Sequence, residues 1–313
     1  MEERSALAET FSPKAVPHST ATSIPMGVFS LIRYRFFLYA GLLPYLLGAA
    51  WAYGMEHTFN GERFGIGLLG IFFSVCGVEA FNEYFDAKMG TDRVFNPNDE
   101  DIPEWMLYFG WTAFGLATLC GLWLAKEGGW PVILYMALGG QAAAFYVGPP
   151  VRWVYRGLGE TMIALSYGPW MTLGSLTLHT GRFSWGALAA SLVPALLIGS
   201  LAIVNAIPDF YQDRLVGKRN LVVRFGRRNG VFIYLTASSL ALAILAAGAA
   251  TGIFPRLALL AAVASAPLLW KSGRAALVSY EEPRQFIPAV RAIVLCYVAA
   301  TSLFTLSLFL RGR

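Results

Sequence analysis

Apolar residues along this chain come in long runs, without the strict alternation of half-buried strands. Bounded by charges, Gly or Pro, the runs fall near residues 36–55, 64–85, 105–125, 130–147, 158–179, 185–208, 230–251, 254–270 and 287–310. A helix needs about 20 apolar residues to cross the hydrocarbon core. The pattern therefore predicts an all-α, polytopic membrane protein with nine transmembrane helices. Residues 1–28 lack it and are rich in Ser, Thr, Ala and Pro, so they are expected to form a mobile cytosolic tail ahead of a single membrane-embedded domain, 29–313. The first apolar run comes after Arg33 and Arg35 and is long, which predicts a retained helix and not a cleavable signal.

Composition agrees with the pattern. Hydrophobic residues make up 56% of the chain and charged residues 14%, against about 25% charged in a soluble domain. An ordinary soluble enzyme and a large extramembrane domain are both excluded. Cys76, Cys120 and Cys296 are isolated in apolar runs, so small buried hydrophobes are expected, with neither disulfide nor zinc site.

The charges sort by side. Only Arg63, Lys126, Arg182, Arg256, Arg311 and Arg313 of the 24 basic residues fall at one end of the predicted helices. The positive-inside rule then puts the N-terminus in the cytosol and the C-terminus outside, in a multi-pass protein of the cell (inner) membrane. The net charge of +5 reflects this topology, and no nucleic-acid partner is expected. Of the 19 acids, only Glu56, Glu62 and Glu127 lie on the outer side. Acids contribute little to orientation, so the cytosolic face needs both signs for another reason.

Two motifs supply one. The second predicted helix ends in Asn82-Glu83-Tyr84-Phe85-Asp86, with Asp92 beyond Gly90; Asn82 and Asp86 share a helical face, and Gly90 allows the chain to bring Asp92 back beside them. The sixth ends with Asn205, Asp209 and Asp213 spaced four and four, which predicts three oxygen donors on one face. Either motif alone reads as an interfacial polar helix end. Together they suit a hard cation: Mg²⁺ takes oxygen ligands and is usually held by one or two carboxylates plus substrate phosphates. Lys88 and Arg93 beside the first motif, and Arg214, Lys218, Arg219 and Arg224 after the second, would neutralise a diphosphate that the acids alone repel. Arg227 and Arg228, further on, are expected to set topology only. Pro208 removes a backbone donor inside the second motif; a turn of Asp209 inward and a plain interfacial kink fit it equally. His18, His57 and His179 are given no catalytic role.

These residues resemble the UbiA superfamily of intramembrane prenyltransferases over about 30–310. The first motif, Asn82-x3-Asp86-x5-Asp92 with Lys88-Met89-Gly90-Thr91, resembles the menaquinone-type branch, which acts on 1,4-dihydroxy-2-naphthoate. Gly217-Lys218-Arg219-Asn220-Leu221-Val222-Val223-Arg224-Phe225-Gly226, the loop from Tyr146 to Glu160 with Tyr155-Arg156-Gly157-Leu158-Gly159-Glu160, and the Arg33 to Gly48 segment are similar to the same branch. Glu83 stands where Asp is commoner, Asn220 where Thr is, and Arg152 where Lys is. None of the three is a metal ligand.

The resemblance implies nine helices around a central cavity, capped by the cytosolic loops after helices two and six. It implies Mg²⁺, with Mn²⁺ as an alternative, held by Asn82, Asp86, Asp92, Asn205, Asp209 and Asp213, of which Asp86, Asp92, Asp209 and Asp213 are the catalytic acids. Arg33, Lys88, Arg152, Lys218 and Arg219 would bind the diphosphate. The partners are a polyprenyl diphosphate, a small aromatic acceptor and membrane lipid; nothing in the pattern sets an oligomeric state. Ionisation of the allylic diphosphate, with subsequent attack from an electron-rich aromatic carbon, requires that water be excluded. Aromatic faces can stabilise the cation. 4-Hydroxybenzoate or homogentisate are the alternative acceptors. A cation-coupled transporter could also place acids on facing helices, but nearer the bilayer midplane. A CDP-alcohol phosphotransferase would need an Asp-Gly dipeptide that the chain lacks.

Overall fold

The computed structural model describes residues 37–89 and 103–312, and side chains from residue 40 onward. The expected tail, Arg33, Gly90, Asp92 and Arg93 lie outside the described residues. Every regular element among the described residues is helical. A π-helical turn, Phe37–Leu42, runs directly into α1 (Leu43–Glu56). Next come α2 (Gly61–Lys88), α3 (Trp105–Gly128) and α4 (Trp130–Ala144), then α5 (Gly159–Leu165) joined through a π turn, Ser166–Trp170, to α6 (Met171–Thr180). After them come α7 (Trp185–Ala206), the short α8 (Phe210–Leu215) and α9 (Leu221–Phe225), and then α10 (Arg227–Thr251), α11 (Ala258–Ser279) and α12 (Pro283–Arg311).

Local chemistry sets several boundaries. Asn60 caps α2 by accepting from the Arg63 amide at 2.9 Å, and Ser184 caps α7 through Ala187. Proline opens α1, α4 and α12, where its missing N–H removes no helical bond. Helix covers most of each predicted apolar run. By length and composition, however, only α2, α3, α7, α10 and α12 among the described residues can each cross a membrane. Of the nine transmembrane helices expected, five meet that length and apolarity among the described residues; α1 and α6 are short α-helices lengthened by π turns, and α4 has 15 residues.

Neighbours along the chain pack as hairpins, α2 on α3, α10 on α11 and α11 on α12, while α7 packs on α10 and α1 on both α6 and α12. Hydroxyls tie these contacts together. Ser175 Oγ donates to the Tyr45 carbonyl at 2.7 Å, and Ser272 Oγ to that of Ala289 at 2.9 Å. Where lipid supplies no hydrophobic drive between helices, such bonds and small side chains hold the bundle. The outward faces carry exposed Leu260, Val263, Trp270 and Val278, as a lipid-facing surface requires. Trp130 and Trp185, 71% and 76% exposed, stand at the first residues of α4 and α7, the interfacial position favoured by indole. Together these features make the chain a helical, multi-pass membrane protein. All three cysteines are free; Cys76 and Cys296 are buried and Cys120 half-buried.

At the Gly61 end of α2 the hairpins are latched. Arg63 Nη2 pairs with Glu127 Oε2 at 3.0 Å at the end of α3, and Arg63 Nη1 donates to the Leu178 carbonyl. The Asn60 amide donates to His179 Nδ1 at 3.1 Å while the imidazole stacks on Phe59. His179 is thereby structural.

Candidate active site

The opposite end of α2 carries the first acidic motif. The helix continues unbroken to Lys88, so Asn82 and Asp86 do lie one turn apart on one face. Asn82 Oδ1 is buried and accepts no hydrogen bond among the described residues.

The second motif departs from the expected geometry. α7 ends at Ala206, a turn covers Ile207–Asp209, and α8 begins at Phe210. Asn205, Asp209 and Asp213 are therefore not three donors on one straight helix. Pro208 cannot donate to the α7 ladder, and the chain re-enters helix only after it. Asn205 and Asp209 are exposed, whereas Asp213 is buried.

The turn that ends α8 decides the site. The Gly217 amide donates to the Arg214 carbonyl and the Lys218 amide to that of Asp213, with Gly217 at φ +78°. This is the Schellman arrangement, in which a left-handed residue ends a helix and folds the chain back over it. It carries Lys218 over Asp213 and into reach of α2. Lys218 Nζ stands 3.3 Å from Asp86 Oδ1 and 3.7 Å from Asp213 Oδ1. One ammonium thus joins two motifs more than 120 residues apart. Burial works against that charge, but the Asp86 and Asp213 carboxylates outweigh it and hold the lysine above its ordinary pKa. Burial also lifts Asp213 to about 6, with the Lys218 ammonium opposing the shift.

The loop before α5 supports this arrangement from below. A 3₁₀ turn, Trp153–Arg156, leads into α5, and Val154 accepts from the Arg219 amide at 3.2 Å. Glu160 Oε1, in the first turn of α5, accepts from the Leu221 amide at 2.7 Å. The two segments touch at Gly157, φ +78°, where a Cβ would lie 2.8 Å from the Arg219 carbonyl oxygen and 2.9 Å from an Arg224 guanidinium nitrogen. Tyr146 lies within electrostatic range of Asp86, Asp213 and Glu160.

The remaining expected ligands are spread around this centre. Lys88 is exposed, its ammonium 4.5 Å from the centroid of the Tyr84 ring. Arg152 is half-buried on a left-handed backbone, φ 54°, and Arg219 is exposed. Arg227 differs from expectation. It donates to the Glu281 carbonyl and lies over the rings of Phe210 and Tyr211 on α8, so it braces the motif helix. Arg228 only covers Phe232.

Several residues around the centre escape a reading of motifs. Asn220 registers in the sequence only as a departure from Thr, although an Asn ahead of Leu221-Val222-Val223 is itself a helix-start signal. Glu79, 5% exposed, sits two turns below Asp86 on the same face of α2. A buried carboxylate at that depth is a functional candidate by its position alone.

Among the described residues no three His, Cys, Asp or Glu side chains stand close enough together to hold a metal ion. Two carboxylates and an orphaned buried amide oxygen nevertheless fit Mg²⁺, which needs only one or two carboxylates when phosphate oxygens complete its shell.

Comparison with known proteins places the chain in a family. Residues 41–295 match the UbiA prenyltransferase family. The chain is 28% identical over 216 residues to the 2-carboxy-1,4-naphthoquinone phytyltransferase of Synechocystis, covering 66% of this chain and 68% of the relative. It is 26% identical over 170 residues to the 1,4-dihydroxy-2-naphthoate octaprenyltransferase of Bacillus subtilis, covering 52% and 54%. Among solved structures, a UbiA homolog from Archaeoglobus fulgidus bound to DMAPP and Mg²⁺ superposes with a TM-score of 0.61 at 15% identity, covering 91% of this chain and 98% of that one. A digeranylgeranylglyceryl phosphate synthase gives 0.62 at 15% identity, covering 90% and 97%. At that identity the likeness is one of fold.

Proposed function

Because the chain belongs to the UbiA prenyltransferase family, we propose that it transfers a polyprenyl group from polyprenyl diphosphate to 1,4-dihydroxy-2-naphthoate, with loss of the acceptor's carboxyl group, in menaquinone biosynthesis. One observation carries the reading: Asp86 of the first motif and Asp213 of the second face a single lysine, Lys218. Paired carboxylates with a fixed cation between them form a receptor for a metal-bound diphosphate, and neither motif alone would do so. The relatives named for naphthoquinone and naphthoate acceptors support the acceptor, and the neighbour solved with DMAPP and Mg²⁺ supports the donor.

Asp86, Asp213 and Asn82 would hold Mg²⁺, or Mn²⁺, with Asp92, Asn205 and Asp209 at the rim. When bound, the cation neutralises negative charge on the leaving diphosphate. Lys218 keeps the two carboxylates together and offers ammonium donors to the diphosphate oxygens, with Arg33, Lys88, Arg152 and Arg219 supplying further positive charge. The prenyl chain then lies between the helices, where apolar walls keep water from the allylic carbon.

The same reading counts the continuous helical stretches 37–56 and 159–180 as spans, giving nine helices around a central cavity. It puts the site on the cytosolic side of the cell membrane, the N-terminus in the cytosol and the C-terminus outside. The test is transfer by the purified protein of labelled polyprenyl diphosphate to a panel of 1,4-dihydroxy-2-naphthoate, 4-hydroxybenzoate and homogentisate. Prenylated naphthoate is the expected product. Preference for either benzoid acceptor would replace the naphthoate assignment, and transfer to none would refute the reading.

A further inference from the structure

Asn220 is buried, 4% exposed, and both ends of its amide are engaged. Its Oδ1 accepts from the Val223 amide at 2.8 Å, capping α9, and its Nδ2 donates to Asp213 Oδ2 at 2.6 Å. The cap fixes which end of the amide is which: a backbone N–H can meet only the oxygen, so the NH₂ is turned onto the carboxylate. The backbone on either side is held as well. The Arg219 amide is bound to Val154 and the Leu221 amide to Glu160, so Asn220 cannot track Asp213 if that carboxylate rotates.

We propose that Asn220 is a positioning residue that orients the Asp213 carboxylate for a divalent cation. With Oδ2 held by Asn220, it is Oδ1 of Asp213 that pairs with Lys218, the lysine that also pairs with Asp86. A carboxylate free to rotate would divide its time between orientations and present this oxygen only part of the time. Asn220 removes that freedom, with Glu160 as the anchor on α5. The proposal rests on the reading of Asp86 and Asp213 as cation ligands, and it reaches a residue that neither acidic motif contains.

The test separates capping from orientation. Ser caps a helix about as well as Asn but is too short to keep the bond to Asp213, whereas Ala loses both. Full-length wild type, Asn220→Ser, Asn220→Ala and Asp213→Asn would be purified in detergent. Each would be titrated with Mn²⁺ alone, with free Mn²⁺ read by electron paramagnetic resonance, and melted without metal.

Asn220→Ser should melt within about 2 °C of wild type yet bind Mn²⁺ roughly tenfold or more weakly, as loss of a hydrogen bond to a charged group requires. Asn220→Ala should show the same loss of affinity together with a lower melting temperature, and Asp213→Asn should bind least. Wild-type Mn²⁺ affinity in Asn220→Ser would reduce Asn220 to a cap and overturn the proposal, as would wild type that binds no Mn²⁺. If Mn²⁺ binding shows the expected order while wild type prenylates no aromatic acceptor, the functional reading falls and the role of Asn220 stands.

Discussion

Replacing Lys218 with Met keeps most of the aliphatic stem and deletes the charge that joins the two motifs. At an effective dielectric constant of about 20, unit charges at the two observed separations, 3.3 and 3.7 Å, attract by about 5 and 4.5 kcal/mol. Desolvation of all three groups offsets much of that. Without the ammonium, two carboxylate oxygens within about 7 Å of each other repel by roughly 2 kcal/mol or more. Removing one partner of a buried ion pair typically destabilises by about 3–5 kcal/mol. The Asp86 side chain is 25% exposed, which favours the lower end, about 3 kcal/mol. For a domain of this size that corresponds to a fall of roughly 5 °C in melting temperature. The deficit should shrink as Mg²⁺ is added, because the uncompensated carboxylates then acquire a counter-charge. In turnover, KM for the prenyl diphosphate should rise, since a charge-assisted donor worth about 1.5–3 kcal/mol is lost. The assay is thermal unfolding in detergent with and without Mg²⁺, then initial rates with the prenyl diphosphate varied at saturating acceptor. A Lys218→Met protein that melts with wild type and keeps its KM would refute the assignment of this lysine as the link between the motifs.

Prenyl transfer should stop in excess chelator and return with Mg²⁺ or Mn²⁺, and Asp86→Asn or Asp213→Asn should each lower kcat by about 10² or more; turnover in chelator, or near-normal rates in both variants, would remove the metal from the reading. Arg227→Gln should lower the melting temperature by several degrees, because its guanidinium braces α8 through two ring faces and the Glu281 carbonyl, while Arg228→Gln should leave it nearly unchanged. Equal effects would show that Arg227 contributes only to topology. A reporter fused after residue 313 should score as external, and a cytosolic signal there would invert the proposed orientation.

The apolar runs gave α2, α3, α7, α10 and α12 directly, because a lipid-embedded helix leaves a long one-dimensional signature in the sequence. They could not separate α5 from α6, since a π turn around Pro169 is as apolar as the helices beside it. The acidic residues were legible through their spacing. The break at Ile207–Asp209 was only partly legible, because a proline marks a disturbed ladder without saying which way the chain leaves it. Least visible were the ties between distant segments: Glu160 to Leu221, Val154 to Arg219, and Lys218 to Asp86. Periodicity reports which face of an element is buried and nothing about which remote loop meets it. Asn220 was passed over for the same reason, since its second partner lies seven residues back on another helix.

The latch formed by Arg63, Glu127, Asn60 and His179 has a mechanical consequence. It stands at the far end of α2 from Asp86, about 35 Å away over the 23 residues from Arg63. There it joins the starts and ends of three helices through an ion pair, a hydrogen bond to imidazole and a ring stack. These contacts tie the ends of α2, α3 and α6 to one another and keep the imidazole of His179 buried. The bundle is thus clasped at one end and carries its two acidic motifs, joined through Lys218, at the other.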